Sequence, residues 1–169
     1  MSARKTATPR ARRAAARARF ELELQRRARG WSPPARDLTQ WARAALGDRA
    51  RGHSLGVCVV SAAESRRLNA RFRGREHPTN VLSFPAAPLP DPGGGPRALG
   101  ELVICPPVLR AEARSQSKPL RAHWAHMVVH GALHLAGYDH ERESDARRME
   151  RREIAVLRRL GFANPYRSV

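Results

Sequence analysis

The sequence has little cysteine, few acidic residues and no long apolar run, and each scarcity excludes a class of protein. Cys58 and Cys105 are the only thiols in 169 residues. A pair cannot build a small disulfide framework or a zinc site of several thiolates, so both are expected as reduced core residues. No apolar stretch approaches the ~20 residues that a membrane-spanning helix needs. The N-terminus lacks the apolar segment of a secretory signal, and the sequence therefore predicts a soluble, cytoplasmic protein.

Acidic residues number 15 against 32 Lys plus Arg, a formal charge of +17 and a pI near 11.7. Such an imbalance attracts a polyanion, either nucleic acid or an anionic membrane surface, unless solvated faces absorb the arginines. The apolar fraction, 41%, is low for a globular chain but still supports one core at this length.

Residues 1–19 stand apart in composition. Arg4, Lys5, Arg10, Arg12, Arg13, Arg17 and Arg19 lie among alanines with no acid to balance them. That is the pattern of a disordered basic tail able to touch RNA; an Arg-rich organellar transit segment is the other reading. From Phe20 the pattern changes. Phe20–Leu24 alternates apolar and polar residues as a half-buried strand does. Ala35–Leu46 reads as a helix with Leu38, Trp41, Ala42, Ala45 and Leu46 on its buried face.

Leu55–Val60 reads as a second strand, and Ala62–Phe72 as a helix stopped at Gly74. Asn80–Phe84 and Leu99–Cys105 are further strands, separated by the Pro- and Gly-rich loop Pro85–Pro96. Helices are expected at Pro106–Ser115, from Pro119 in a first turn to about Ala136, and at Glu141–Leu160. The last should bury Met149, Ile154, Leu157 and Leu160. The sum is one α+β domain over residues 20–166, a small mixed four-stranded sheet packed with helices, with 167–169 as a C-terminal tail.

The segment His130-Gly131-Ala132-Leu133-His134-Leu135-Ala136-Gly137-Tyr138-Asp139-His140 carries the chemistry. Residues four apart on a helix share a face, so His130 and His134 present two imidazoles to one point. Gly137 ends the helix and lets His140 return from a third direction. Three nitrogen ligands with a vacant fourth position describe catalytic rather than structural zinc. This spacing matches the three-histidine frame of metzincin proteases, but Gly131 stands where they carry a glutamate base. Without that carboxylate the peptidase route to activated water is lost.

His126 lies one turn upstream, either a neighbour supporting the ligands or a partly exposed residue. His123 sits on another face and reads as structural. Asp139 either orients an imidazole or caps the following helix. Glu101 is either an auxiliary base or a structural residue at a strand start.

The chain resembles the YbeY endoribonucleases. The resemblance rests on the 130–140 segment, on Leu68-Asn69-Ala70-Arg71-Phe72-Arg73-Gly74, on Pro78–Pro85, on Leu99–Ile104 and on the closing Gly161–Tyr166. It covers about residues 20–166, leaving out the basic tail. It implies a single-strand-specific, metal-dependent endoribonuclease acting in 16S ribosomal RNA 3′ end maturation and late-stage 70S ribosome quality control. It further implies one zinc on His130, His134 and His140, an essential role for Arg73, and partnership with ribosomal RNA and the small ribosomal subunit. Arg71 and Arg75 flank Arg73 and are candidate RNA phosphate contacts. Two alternatives remain open: an RNA-binding assembly factor whose zinc is structural, and a metallopeptidase.

Overall fold

The computed structural model of the chain describes residues 19–88, 95–138 and 142–167. Most of the basic segment, the middle of the Pro/Gly loop, Asp139 and His140 thus lie outside the described residues. Strands β1 (Glu21–Arg26), β2 (His53–Val59), β3 (Val81–Pro85) and β4 (Arg97–Ile104) form one sheet in the order β1-β2-β4-β3. β1, β2 and β4 run parallel, and β3 pairs antiparallel along the β4 edge, Val81 opposite Ile104. Among the described residues five helices accompany them: α1 (Ala35–Leu46), α2 (Ala62–Arg73), α3 (Pro106–Ser115), α4 (Leu120–Leu135) and α5 (Glu143–Arg159). A short 3-10 turn, Gly47–Ala50, follows α1. The architecture is the expected α+β domain with a mixed four-stranded sheet.

Strand alternation sorts the side chains onto two faces. Leu55, Val57, Val59, Leu102 and Ile104 enter the main core with α1, α4 and α5. Cys58, Val60, Leu82, Val103 and Cys105 form a second cluster on the opposite face, packed with Leu68 of α2 and Val108 of α3. Both cysteines are buried free thiols, and burial pushes each thiol above its ordinary pKa. α1 buries Leu38, Trp41, Ala42, Ala45 and Leu46, the expected stripe. α2 starts at Ser61, whose hydroxyl accepts the Glu64 N–H at 3.2 Å, and stops at Gly74.

α4 runs through the centre and is buried almost continuously from His123 to Val129. Interring one indole contributes about 4–6 kcal/mol, so fully buried Trp124 does much to seat this helix. Its Nε1 has no hydrogen-bond partner among the described residues, a cost of about 1–3 kcal/mol that burial outweighs. At the C-terminal end Gly137 adopts φ +87°, and the Tyr138 N–H returns to the Leu133 carbonyl at 3.0 Å. Only a residue without Cβ takes that turn at no steric cost, and it ends the helix where expected.

Three expectations need correction. Pro119 precedes α4 rather than lying in its first turn. α5 begins at Glu143. Its buried stripe is Met149, Glu153, Val156 and Leu157, with Ile154 and Leu160 only partly covered. A glutamate occupies the middle of an apolar face, and the site explains why. No helix among the described residues is long and apolar enough to cross a membrane.

Candidate metal centre

α4 carries His123, His126, His130 and His134 along one side, progressing from buried to open, so His123 shares their side and not another face, as spacings of three, seven and eleven residues require. His123 and His126 are buried, whereas His130 and His134 are partly exposed. The rings of His130 and His134 lie 4.7 Å apart between centroids at 78°, as helical spacing requires of imidazoles meeting at one point. Below them Glu153 of α5 is completely buried. Its Oε1 lies 2.6 Å from His130 Nδ1, its Oε2 lies 3.3 Å from His126 Nε2, and Oε2 also accepts from the Tyr166 hydroxyl.

A buried carboxylate loses several kcal/mol of hydration, which three charge-assisted hydrogen bonds of about 1.5–3 kcal/mol each can offset. The pKa follows the same balance. Burial alone would raise it, but hydrogen bonds from His126, His130 and Tyr166 hold Glu153 at about 2. Burial outweighs the carboxylate for His126 and lowers its pKa, favouring the neutral ring. Burial and the neighbouring Glu153 raise that of the Tyr166 phenol, which stays a hydrogen-bond donor.

His126, His130 and Glu153 place their ligand atoms within 4.8 Å of one another, close enough to hold a metal ion. The 2.6 Å contact between His130 and Glu153 discriminates between two uses of these groups. Two ligands of a tetrahedral zinc, each about 2.0–2.1 Å from the ion, sit about 3.3 Å apart. The shorter contact is therefore a direct hydrogen bond. With Glu153 ionised, Nδ1 is the donor in that bond, and Nε2 is the ring atom His130 would offer to a metal. Glu153 thus stands behind His130, on the Nδ1 side of its ring.

The other sequence candidates lie as follows. His123 Nε2 meets Glu112 Oε2 at 2.7 Å, a structural contact with α3. Arg71 and Arg73 are exposed in the last turn of α2, and Arg75 is exposed just after it. α2 packs on the sheet face opposite α4. The edge strand β3 links the two sides. Phe84 packs against Phe72 of α2 at 5.0 Å between centroids, while Ser83 Oγ lies 3.5 Å from the Gly131 carbonyl of α4. Glu101 faces the α2 side, beside Cys58, Leu68 and Val103, and away from α4. Asp139 and His140 fall outside the described residues.

The residues missed from sequence are Glu153 and Tyr166. Glu153 did leave a signal, a charge spaced four from both Met149 and Leu157 on an apolar stripe. Tyr166 left none beyond its place in the closing motif.

Gly131 explains the departure from the protease frame. A Cβ there would meet Leu102 Cδ2 at 2.7 Å and Ser83 Oγ at 3.1 Å. The position presses against the sheet, with no room for a glutamate base.

Residues 28–161 match the family model described as Endoribonuclease YbeY. The Endoribonuclease YbeY of Methylococcus capsulatus is 50% identical over 152 residues, covering 89% of this chain and 97% of that protein. The Endoribonuclease YbeY of Alkalilimnicola ehrlichii is 52% identical over 139 residues, covering 80% and 82% respectively. In fold, the chain is similar to the solution structure of TM1509 from Thermotoga maritima, with TM-score 0.52 and 23% identity over 86% of this chain and 99% of that one. The family model spans β2, β3, β4 and the histidine helix, and the relatives are about half identical over most of their length, so this chain belongs to the YbeY endoribonuclease family.

Proposed function

We propose that the chain is a single-strand-specific, zinc-dependent endoribonuclease of the cytoplasm, acting in 16S ribosomal RNA 3′ end maturation and late-stage 70S ribosome quality control. Its partners are ribosomal RNA and the small ribosomal subunit, and residues 20–166 form the catalytic unit. The observation carrying the metal-dependent part is the pairing of adjacent His130 and His134 rings with a buried carboxylate behind His130.

In this reading His130, His134 and His140 hold one zinc. Bound there, zinc supplies the Lewis acidity that makes water nucleophilic near neutral pH. Glu153 keeps the His130 proton on Nδ1 and raises the basicity of the ring. His126 and Tyr166 hold Glu153, and Asp139 stands next to His140 to orient it. Arg73 approaches the phosphate across the β3 edge, where a guanidinium can grip two oxygens as negative charge develops. Arg71 and Arg75 bind flanking phosphates. Arg71 already stacks over the Phe72 ring at 5.3 Å, and exposed Phe72 offers an unpaired base an aromatic face.

The test is incubation of the purified chain with single-stranded ribosomal RNA, beside His134→Ala, Arg73→Ala and a chelator. Cleavage should disappear in all three, with RNA binding retained in both variants. Undiminished cleavage by His134→Ala overturns the metal-dependent reading. Metal analysis should find about one zinc per chain.

A further inference from the structure

Away from the histidines, a cavity of about 890 Å³ opens between α1, α5 and the start of β1. Its walls carry Arg36 and Arg43 of α1, Arg51 beyond the 3-10 turn, and Arg152 and Arg159 of α5, against one carboxylate, Asp48. Of the five guanidiniums only Arg36 has an ion pair among the described residues, with its neighbour Asp37 at 3.6 Å. The buried Nε of Arg152 has no hydrogen-bond partner among the described residues. Phe20 and Leu160 add apolar wall.

Like charges on a concave, partly apolar surface focus a positive field, which an anion relieves. The kind of anion follows from the count. The oxygens of one phosphate are satisfied by about two bidentate guanidiniums, so five call for successive phosphates. The cavity also shares α5 with the metal centre, Arg152 being next in sequence to Glu153.

We propose that this cavity is an RNA exosite that grips successive phosphates of a single-stranded backbone away from the point of cleavage. It rests on the RNA reading above. Arg43 and Arg51 are exposed and can be changed without disturbing the core.

The test compares the full chain with an Arg43→Ala/Arg51→Ala double variant of unchanged melting temperature, and with the matching Arg→Lys pair. Labelled single-stranded RNAs are titrated over a range of salt, one only long enough for the histidine site and one several times longer. The double variant should bind the long RNA about tenfold more weakly, with a salt slope shallower by about 1.4, two contacts at about 0.7 each. Lysine should restore most of the affinity. Binding and cleavage of the short RNA should not change. Long-RNA affinity within about twofold of the unaltered chain overturns the exosite. So does a loss confined to inorganic tripolyphosphate or to phosphatidylglycerol vesicles. If the unaltered chain binds RNA without cutting it, the nuclease reading falls and the double variant still decides the exosite; if it binds none, both fall.

Discussion

Glu153 Oε1 and His130 Nδ1 meet at 2.6 Å across the contact between α5 and α4, joining a completely buried carboxylate to the first histidine of the metal motif. Glu153→Gln keeps the shape but removes the charge that orients and polarises the ring. Metal affinity should fall about 10- to 100-fold, as chelator competition would show. Tyr166→Phe removes only one of three hydrogen bonds and should cost less. Equal affinity in Glu153→Gln and the unaltered chain would mean that the carboxylate serves packing alone.

Gly131 is predicted to resist conversion to the protease frame. Gly131→Glu drives a side chain into Leu102, which is wholly buried. Overpacking of this kind costs typically 1–3 kcal/mol, and the added charge has no partner there, so a loss above about 2 kcal/mol is expected. Denaturant melts measure the loss, and a peptide substrate should remain uncut. A stable variant that cleaves peptides would contradict the packing argument.

Asn69 is buried in α2, and its Nδ2 donates to the His77 carbonyl at 2.8 Å, pinning the loop that follows Arg73. Asn69→Ala leaves that carbonyl without its donor and should destabilise the fold by about 1–3 kcal/mol. RNA cleavage should fall more steeply than short-RNA binding if the loop sets the position of Arg73. A shift below about 0.5 kcal/mol would show that the loop holds without this bond.

Glu112 supplies an acid-sensitive contact outside the metal centre. Burial alone would raise its carboxyl, but hydrogen bonds from His123 and Asn80 outweigh this and hold it below the ordinary 4.5. A carboxylate depressed in the folded state stabilises fully above its unfolded value. That contribution fades as pH falls through 4.5 toward the folded value. Glu112→Gln should therefore lose stability near neutrality while showing a flatter decline in acid. Parallel pH–stability curves for the two proteins would remove Glu112 from the account.

Much of the fold was legible because its signals are local. The stripe Leu38, Trp41, Ala42, Ala45, Leu46 specifies α1, and alternation puts Val57 and Cys58 on opposite faces of β2. Gly74 and Gly137 mark helix ends because the left-handed turns there favour a residue without Cβ. Within the site, the meeting of His130 and His134 is likewise a property of one helix. The basic composition, too, required no coordinates.

Tertiary structure alone decided what stands behind and around those rings. Glu153 is 23 residues from His130 in the chain, and from sequence it is one more charge on a highly charged helix. Only the packing of α5 on α4 withdraws it from water and turns it into a hydrogen-bond partner. The sheet order β1-β2-β4-β3, the packing of α2 on the sheet face opposite α4 and the gathering of five arginines around one cavity are decisions of the same kind. Periodicity reports which way a side chain points from its own element. Which element it then meets depends on how the helices and sheet share their buried faces, and no local stretch of sequence carries that.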